Sequence, residues 1–246
     1  HANREGDALS RSPNKNKAHE SPRKPTTMDG AFVQTAPLHA FQKRTESPVA
    51  FLDRDGVLNL GKAGYVNHPD EVQLLDGSAE VIAALRGQGY LICVVTNQSP
   101  MARGLWGPER LELLHTTLQE LLLEQDPEAH IDAFLTCPHR YEDRCNCRKP
   151  SPAMLVLGHQ LLRCQEALIP SLRPQLHAVP PPSVNWWGSK PIPPHPLDLM
   201  VGDRTSDMGA GWAFGARLFR VARTIGLAQV KERLSSLDDP GDDFQP

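Results

Sequence analysis

The feature of this sequence that most constrains its fold is the alternation of short apolar runs with longer segments of helical periodicity. Short, uniformly apolar runs predict strands that are buried on both faces. Such runs lie at residues 49–52, 90–95, 131–135, 197–201 and 217–221, and apolar stripes typical of helices lie at 78–86, 108–122, 151–162 and 208–214. Strands that alternate with helices predict an α/β fold, in which a doubly wound, mostly parallel sheet is covered by helices on both faces.

The composition of the chain restricts its expected partners. Its 246 residues carry a formal net charge of −3, so we expect neither nucleic acid nor a membrane surface as a partner. No apolar stretch approaches the roughly 20 residues of a membrane span, and the N-terminus lacks the apolar segment of a signal peptide. The five cysteines form an odd set, which favours reduced thiols and a cytoplasmic location. We further expect a monomer.

Two long segments and a short C-terminal stretch depart from the alternating pattern. Residues 1–47 are rich in Lys, Arg, Asn, Ser and Pro and predict a disordered tail, with a targeting segment as the alternative. Residues 165–196 contain nine prolines, which block helices and central strands. This Pro-rich insert predicts a disordered loop, and a lid, a partner-binding site or a retained intron are the alternatives. The main domain is expected to span residues 48–236, followed by an acidic tail at 237–246.

Two carboxylates follow the first predicted strand, in the run Asp53, Arg54, Asp55 and Gly56. One carboxylate of such a pair can attack phosphorus and form an aspartyl-phosphate. The other can protonate the leaving oxygen and then deprotonate the water that hydrolyses the intermediate. Gly56 favours a turn after Asp53 that would aim both carboxylates at one phosphoryl group. A solvated loop, or a metal site without chemistry, is the alternative interpretation.

Further polar motifs lie after the later predicted strands. A hydroxyl and two amides after the second strand could bind a phosphoryl oxygen or cap a helix. A basic pair before the third helix could neutralise a phosphoryl group or form surface ion pairs. Carboxylates after the fourth strand, together with Asp53, would suit Mg²⁺ or cap a turn. These residues are Thr96, Asn97, Gln98, Arg148, Lys149, Asp203 and Asp207.

In this order, the four motifs resemble those of haloacid dehalogenase superfamily phosphatases over residues 47–234, apart from the Pro-rich insert. The resemblance implies that Asp53 is the nucleophile and Asp55 the general acid and base of a Mg²⁺-dependent phosphatase. It also implies that Thr96 and Lys149 bind the phosphoryl group. The implied magnesium ligands are Asp53, the backbone carbonyl of Asp55 and Asp203, with Asp207 acting through a water molecule or another ligand.

A second metal site is predicted by three thiols and one imidazole that lie within eleven residues. They are Cys137, His139, Cys145 and Cys147. Three cysteines and one histidine form a closed tetrahedral zinc set without an open coordination position. We therefore expect a structural Zn²⁺ that stabilises the loop before Arg148 and Lys149. A cysteine-rich loop without metal is the alternative.

The zinc set followed by Arg148, Lys149 and Pro150 resembles the zinc-binding branch of the superfamily. That branch includes the D-glycero-D-manno-heptose 1,7-bisphosphate 7-phosphatases and the bacterial histidinol-phosphate phosphatases. The run Ala102, Arg103 and Gly104 is similar to the heptose type and implies a sugar bisphosphate as substrate. An arginine there suits a second phosphate or sugar hydroxyls. The substrate-binding residues implied by the resemblance are Asn97, Gln98, Arg103 and Arg148.

Three features depart from the heptose type, namely Pro100, Trp106 and the Pro-rich insert. No large cap segment is expected between Asp55 and Thr96, which favours an open site that accepts varied small phosphates. Histidinol-phosphate phosphatase, polynucleotide 3′-phosphatase and a non-catalytic, zinc-stabilised interaction module are the other functions considered. The zinc set and the modest charge disfavour the polynucleotide substrate, and a scaffold has no need of both aspartates.

Overall fold

The computed structural model describes residues 30–38, 44–165 and 169–246 of the chain. The described strands are β1 Gly30–Thr35, β2 Val49–Leu52, β3 Leu91–Asn97, β4 Ala133–Cys137, β5 Ser171–Ala178, β6 Leu199–Gly202 and β7 Arg217–Arg220. The α-helices are α1 Ser78–Gly87, α2 Pro108–Gln125, α3 Ala153–His159, α4 Thr205–Phe214 and α5 Lys231–Ser235. A π-helical turn, Gln160–Cys164, continues α3, and short 3-10 helices lie at Arg44–Glu46, Pro69–Glu71, Tyr141–Asp143 and Gly226–Val230.

The seven strands form one sheet in the order β5-β1-β4-β3-β2-β6-β7. The five strands from β4 to β7 in this order run parallel, whereas β1 and β5 pair antiparallel at one edge. All five strands predicted from apolar runs are present, with ends displaced by up to two residues. The prediction of a mostly parallel, doubly wound α/β sheet is confirmed.

Helices cover both faces of the sheet because each buried strand supplies apolar side chains to both. In β2, Val49 and Phe51 join a core cluster with α3 and α4, whereas Ala50 and Leu52 join a second cluster with α1 and α2. The alternation of side chains along a strand explains this division. The segment between β2 and β3 contains turns, one 3-10 helix and α1, so the predicted absence of a large cap there is confirmed. No helix in the described part of the chain is long and apolar enough to cross a membrane.

The predicted N-terminal tail of residues 1–47 extends too far. Strand β1 lies within it and pairs with β4, where Phe32 is opposite Thr136. The sequence concealed this strand because its apolar run is short and its last two residues are polar. Both of these residues, Gln34 and Thr35, are buried and hydrogen-bonded to carbonyl groups of the insert. Residues 1–29 and 39–43 lie outside the described residues, so the disorder predicted for them stays a prediction.

The Pro-rich insert, residues 165–196, is not the unstructured loop that its composition predicts. It contains β5, which pairs with β1 at the edge of the sheet. Pro174 is compatible with β5 because an edge strand needs ladder hydrogen bonds on one side only. Farther along, Trp186 stacks on Trp212 of α4 with ring centroids 5.9 Å apart. Residues 166–168 lie outside the described residues.

The predicted acidic tail, residues 237–246, packs against β7 instead of extending from the domain. The backbone N–H of Asp242 donates to the Leu218 carbonyl at 2.6 Å, and its carboxylate accepts from the backbone N–H of Arg220 at 2.7 Å. The Arg233 guanidinium pairs with Asp239 and Asp242. Local charge pairing therefore turns an acidic stretch into part of the folded domain.

Candidate active site

The turn after β2 places Asp53 at the carboxyl end of the parallel sheet. The Asp53 backbone N–H donates to the Val201 carbonyl at 3.0 Å, and the Leu58 N–H closes the turn on the Arg54 carbonyl at 2.9 Å. Gly56 has a φ of 82°, and a Cβ there would lie 2.9 Å from Cγ of Asp203. A glycine is therefore required both by the backbone conformation and by the close approach of a second acidic segment. The predicted turn is confirmed.

A buried ammonium group joins the acidic residues. Lys149 Nζ lies 3.0 Å from Asp53 Oδ1 and 2.6 Å from Asp207 Oδ1, and it donates to the Val95 carbonyl at 2.7 Å. Burial disfavours the charged form of Lys149, but the charges of Asp207 and Asp53 outweigh burial and raise its pKa. Lys149 therefore supplies a fixed positive charge beside Asp53.

The electrostatic surroundings of Asp53 favour a positively charged partner. Burial, and next the negative charge of Asp207, raise the pKa of Asp53 to about 6, although Lys149 opposes this shift. Burial, and next the charge of Asp53, also raise the pKa of Asp203. A divalent cation beside these carboxylates would favour their ionised forms.

Asp53 and Asp203 fit a magnesium ion. Ligand oxygens of Asp53, Asp203 and Asp207 lie within 4.8 Å of one another. Asp203 Oδ1 is buried and has no hydrogen-bond partner among the described residues, as expected of an oxygen that binds a cation. Asp207 is already engaged, since Oδ1 contacts Lys149 and Oδ2 accepts from the backbone N–H of Arg204 at 2.9 Å. That Asp207 acts on the metal only indirectly stays a prediction.

Three side chains hold the carboxylate of Asp55. Arg54 donates through Nε at 3.2 Å and Nη2 at 2.9 Å, and the amides of Asn59 and Gln98 each donate at 2.8 Å. Burial raises the pKa of Asp55, but the Arg54 guanidinium and the amide hydrogen bonds outweigh it and lower that pKa below its usual value. Sequence reasoning missed the contacts of Arg54 and Asn59, and the available sequence signal was that they lie one and four residues from Asp55.

The residues at the carboxyl end of β3 take two roles, since some line the cleft and others hold neighbouring residues in place. Thr96 lines the cleft beside Asp53 and Lys149. Asn97 exchanges two hydrogen bonds with the backbone of Lys149, at 3.1 and 3.2 Å. Gln98 is buried, and its amide donates to both Asp55 and Thr96 at 2.8 Å. The structure therefore does not support a substrate-binding role for Gln98, because its donors already hold two site residues.

Cationic and aromatic side chains surround the mouth of the cleft. Arg103 and Arg148 line it as predicted, and Arg148 also donates to the His139 carbonyl at 2.8 Å. Tyr65 lies there with its hydroxyl 3.1 Å from Ser99 Oγ, and this hydrogen bond lowers the pKa of Tyr65. Arg223 also lines the cleft, and no sequence motif indicated it.

The predicted zinc ligands form a compact cluster. Cys137 Sγ lies 3.5 Å from both His139 Nδ1 and Cys145 Sγ, and Cys147 Sγ lies 3.3 Å from His139 Nδ1 and 3.7 Å from Cys145 Sγ. Four ligands placed tetrahedrally at Zn–S lengths of about 2.3 Å would be about 3.8 Å apart. Hydrogen bonds from Cys137 and Cys147 lower the pKa of the Cys145 thiol. Spacing and chemistry therefore both fit Zn²⁺.

Two curated relatives of the chain carry the same enzyme name. A Pseudomonas aeruginosa protein named D-glycero-beta-D-manno-heptose-1,7-bisphosphate 7-phosphatase is 44% identical over 104 residues, which are 42% of this chain and 57% of that protein. A Vibrio cholerae protein of the same name is 37% identical over 184 residues, which are 72% of this chain and 82% of that protein. The chain thus spans little more than half of the first relative and most of the second. No family model matches the sequence.

Solved structures share the fold. The D,D-heptose 1,7-bisphosphate phosphatase of B. bronchiseptica, crystallised with magnesium and phosphate, has a TM-score of 0.55 at 27% identity, covering 79% of this chain and 90% of that one. A protein from Mesorhizobium loti described as a putative haloacid dehalogenase-like phosphatase has a TM-score of 0.62 at 24% identity, covering 89% and 98%. The second likeness concerns the fold alone.

Proposed function

Because this chain belongs to the D-glycero-β-D-manno-heptose-1,7-bisphosphate 7-phosphatase family of haloacid dehalogenase-like proteins, we propose that it hydrolyses a phosphomonoester of a sugar bisphosphate. The observation that carries the proposal is the buried arrangement of Asp53, Lys149 and Asp207, with Asp55 two residues from the first carboxylate. Burying this many charges is costly unless they perform chemistry or bind charged ligands.

The proposed reaction proceeds in two displacements at Asp53. Its carboxylate attacks phosphorus, and the P–O bond to the sugar breaks as the protonated form of Asp55 gives its proton to the leaving oxygen and becomes a carboxylate. Asp55 then removes a proton from water, which attacks the aspartyl-phosphate and releases inorganic phosphate and free Asp53. Bound Mg²⁺, held by Asp53, the Asp55 carbonyl and Asp203, would supply positive charge that stabilises the transferring phosphoryl group.

Lys149 and Thr96 are proposed to stabilise the phosphoryl group during both displacements. Asp207 holds the ammonium of Lys149, and Asn97 holds the Lys149 backbone through two hydrogen bonds, so the charge is in place before the substrate arrives. The Thr96 hydroxyl accepts from Gln98, which leaves its own proton available to a phosphoryl oxygen.

The mouth of the cleft supports a substrate with a second anionic group. Arg103 and Arg148 lie there, and a guanidinium suits phosphate oxygens and sugar hydroxyls. The named substrate of the relatives, a heptose 1,7-bisphosphate, carries such a second phosphate. Zn²⁺ at the cysteine and histidine cluster is proposed to stabilise the loop that leads to Arg148 and Lys149.

A panel of phosphate esters tests this function. Initial rates of phosphate release are measured on heptose 1,7-bisphosphate, histidinol phosphate, a 3′-phosphorylated oligonucleotide and p-nitrophenyl phosphate, with and without Mg²⁺. We expect the highest kcat/KM on the heptose bisphosphate, and Mg²⁺-dependent turnover of p-nitrophenyl phosphate. A higher kcat/KM on histidinol phosphate would overturn the substrate, and no hydrolysis of any ester would overturn the phosphatase.

A further inference from the structure

A buried network of hydrogen bonds extends from the acidic turn to residues that are not among those lining the cleft. Arg54 Nη1 lies 3.3 Å from His115 Nε2, and His115 Nδ1 lies 2.6 Å from Gln34 Oε1. Gln34 Nε2 in turn donates to the Leu172 carbonyl at 2.7 Å. Arg54, His115 and Gln34 are at most 2% exposed. This hydrogen-bond network therefore connects Asp55, through Arg54, to helix α2, strand β1 and the Pro-rich insert.

The chemistry of the guanidinium fixes the direction of these hydrogen bonds. Arginine can only donate, so His115 Nε2 must accept from Arg54 and carry no proton. The single ring proton then lies on Nδ1 and is donated to Gln34 Oε1. That leaves the Gln34 amide nitrogen to donate to Leu172, as its distance requires. Each group in the network is either a donor or an acceptor at every contact, without conflict. The network therefore specifies one orientation of the imidazole and of the amide.

The surroundings of His115 maintain this neutral form. Burial, and next the positive charge of Arg54, hold the pKa of His115 well below its usual value, although Asp55 opposes the shift. The ring stacks on Phe134, with centroids 4.4 Å apart and planes 14° from parallel. His115 is therefore a rigid, uncharged acceptor for Arg54.

The N–H donors of Arg54 are divided between Asp55 and His115. Nε and Nη2 both point to the Asp55 carboxylate, and Nη1 points to His115. A planar guanidinium that is bound on two sides cannot rotate without losing a contact. The orientation of Asp55 consequently depends on the group behind Arg54.

We propose that His115, oriented by Gln34, is a positioning residue that holds Arg54 and thereby aims Asp55 at the leaving oxygen of the substrate. The inference rests on the proposed function, since it assigns a task within the same reaction. Asp55 donates the proton that the leaving oxygen needs when the P–O bond breaks. His115 touches neither substrate nor metal and acts only through Arg54.

The dependence of the rate on the leaving group separates this role from a structural one. A poor leaving group needs protonation in the transition state, whereas p-nitrophenolate leaves with little help. The parameter kcat/KM covers the steps up to departure of the leaving group, so hydrolysis of the aspartyl-phosphate does not enter it. Phenyl phosphate and p-nitrophenyl phosphate differ little in shape and form a matched pair of esters.

The experiment compares kcat/KM for these two esters in the wild-type protein, His115→Phe and His115→Gln. Phenylalanine retains a ring to stack on Phe134 but offers no acceptor, whereas glutamine retains an acceptor without the ring. We expect His115→Phe to lose about 10- to 100-fold on phenyl phosphate, part of the 10²–10⁴ that general acid catalysis contributes. On p-nitrophenyl phosphate we expect a loss of less than about threefold, and we expect His115→Gln to recover most of the difference.

Equal losses on both esters would overturn the proposal, because a structural defect does not distinguish between leaving groups. If His115→Phe does not fold, as judged by its thermal melt, Gln34→Leu carries the test, and the same selective loss on phenyl phosphate is expected. Failure of the proposed function is a different result, since the wild-type protein would then hydrolyse neither ester.

Discussion

Two clusters of candidate metal ligands follow the carboxyl ends of strands in the sheet, yet they are assembled in opposite ways. The thiol and imidazole cluster comes from one stretch, Cys137 to Cys147, that begins at the end of β4. The carboxylate cluster brings together Asp53 and Asp203, which are distant in sequence and follow β2 and β6. The first can form from local chain geometry, whereas the second exists only after the parallel sheet has formed.

The two clusters also differ in the ligands that they offer to a metal ion. Three thiolates and one imidazole would fill a tetrahedral zinc site and leave no position for substrate. Two hard carboxylates leave most positions of an octahedral magnesium site to water and phosphate. A closed cluster contributes to stability and an open cluster to chemistry. The two meet at Lys149, which follows Cys147 by two residues and pairs with Asp53 at 3.0 Å.

The largest expected effect is on the open cluster. Asp53→Asn should lower kcat/KM by at least about 10³-fold, because an amide is a poor nucleophile and a weak metal ligand. The melting temperature should change little, since Lys149 retains its partner Asp207. Phosphate release and a thermal melt are measured on protein whose mass excludes deamidation. Near-normal hydrolysis by that protein would refute the mechanism.

A change in the thiol and imidazole cluster should lower stability and leave activity nearly unchanged. Protein purified without chelator should contain about one zinc per chain, and Cys145→Ser should lower the free energy of unfolding by several kcal/mol, because structural zinc couples binding to folding. The specific activity per folded molecule should remain close to wild type. Metal analysis, denaturant unfolding and active-site titration measure these quantities.

Cys164→Ser is the matched control for Cys145→Ser, because Cys164 is exposed and lies outside the cluster. It should leave zinc content and stability unchanged. If Cys145→Ser behaved like this control, or if zinc-free protein melted normally, the cluster would have no structural role.

The same contrast explains how much the sequence could predict. Both clusters follow predicted strand ends, so their residues could be named from motif order and ligand spacing. The supporting contacts could not. His115 lies between Leu114 and Leu118 on the apolar face of α2, where periodicity favours a core residue. Its polar role depends on Gln34, and β1 becomes recognisable as a strand only through its pairing with β4 and β5.

Gln98 and Asn97 illustrate the same limit on a smaller scale. Their position after the second predicted strand implied contacts with substrate, but sequence order does not determine where an amide points. Gln98 is turned back to Asp55 and Thr96, and Asn97 to the backbone of Lys149. Where several strand ends meet, each polar side chain has possible hydrogen-bond partners on several elements. Which partner it binds depends on the geometry of the assembled sheet.

The smallest expected effect lies outside both clusters, at Arg103. Its side chain is exposed at the mouth of the cleft, and its Nε is 3.5 Å from Ser99 Oγ, a contact too long to hold it firmly. Lys149 is proposed to supply the positive charge at the reacting phosphoryl group, so Arg103 should contribute to binding a second group of the substrate. Arg103→Ala should raise KM for heptose 1,7-bisphosphate about tenfold with little change in kcat. A charge-assisted hydrogen bond contributes about 1.5–3 kcal/mol, and exposure places this one at the lower end.

Two controls test whether the effect is specific. Hydrolysis of p-nitrophenyl phosphate, which lacks a second phosphate, should be unaffected by Arg103→Ala. Both reactions should be unaffected by Arg173→Ala, which changes an exposed arginine on β5. Equal changes on the two substrates would show that Arg103 does not select for a bisphosphate, while leaving the roles of the two metal clusters intact.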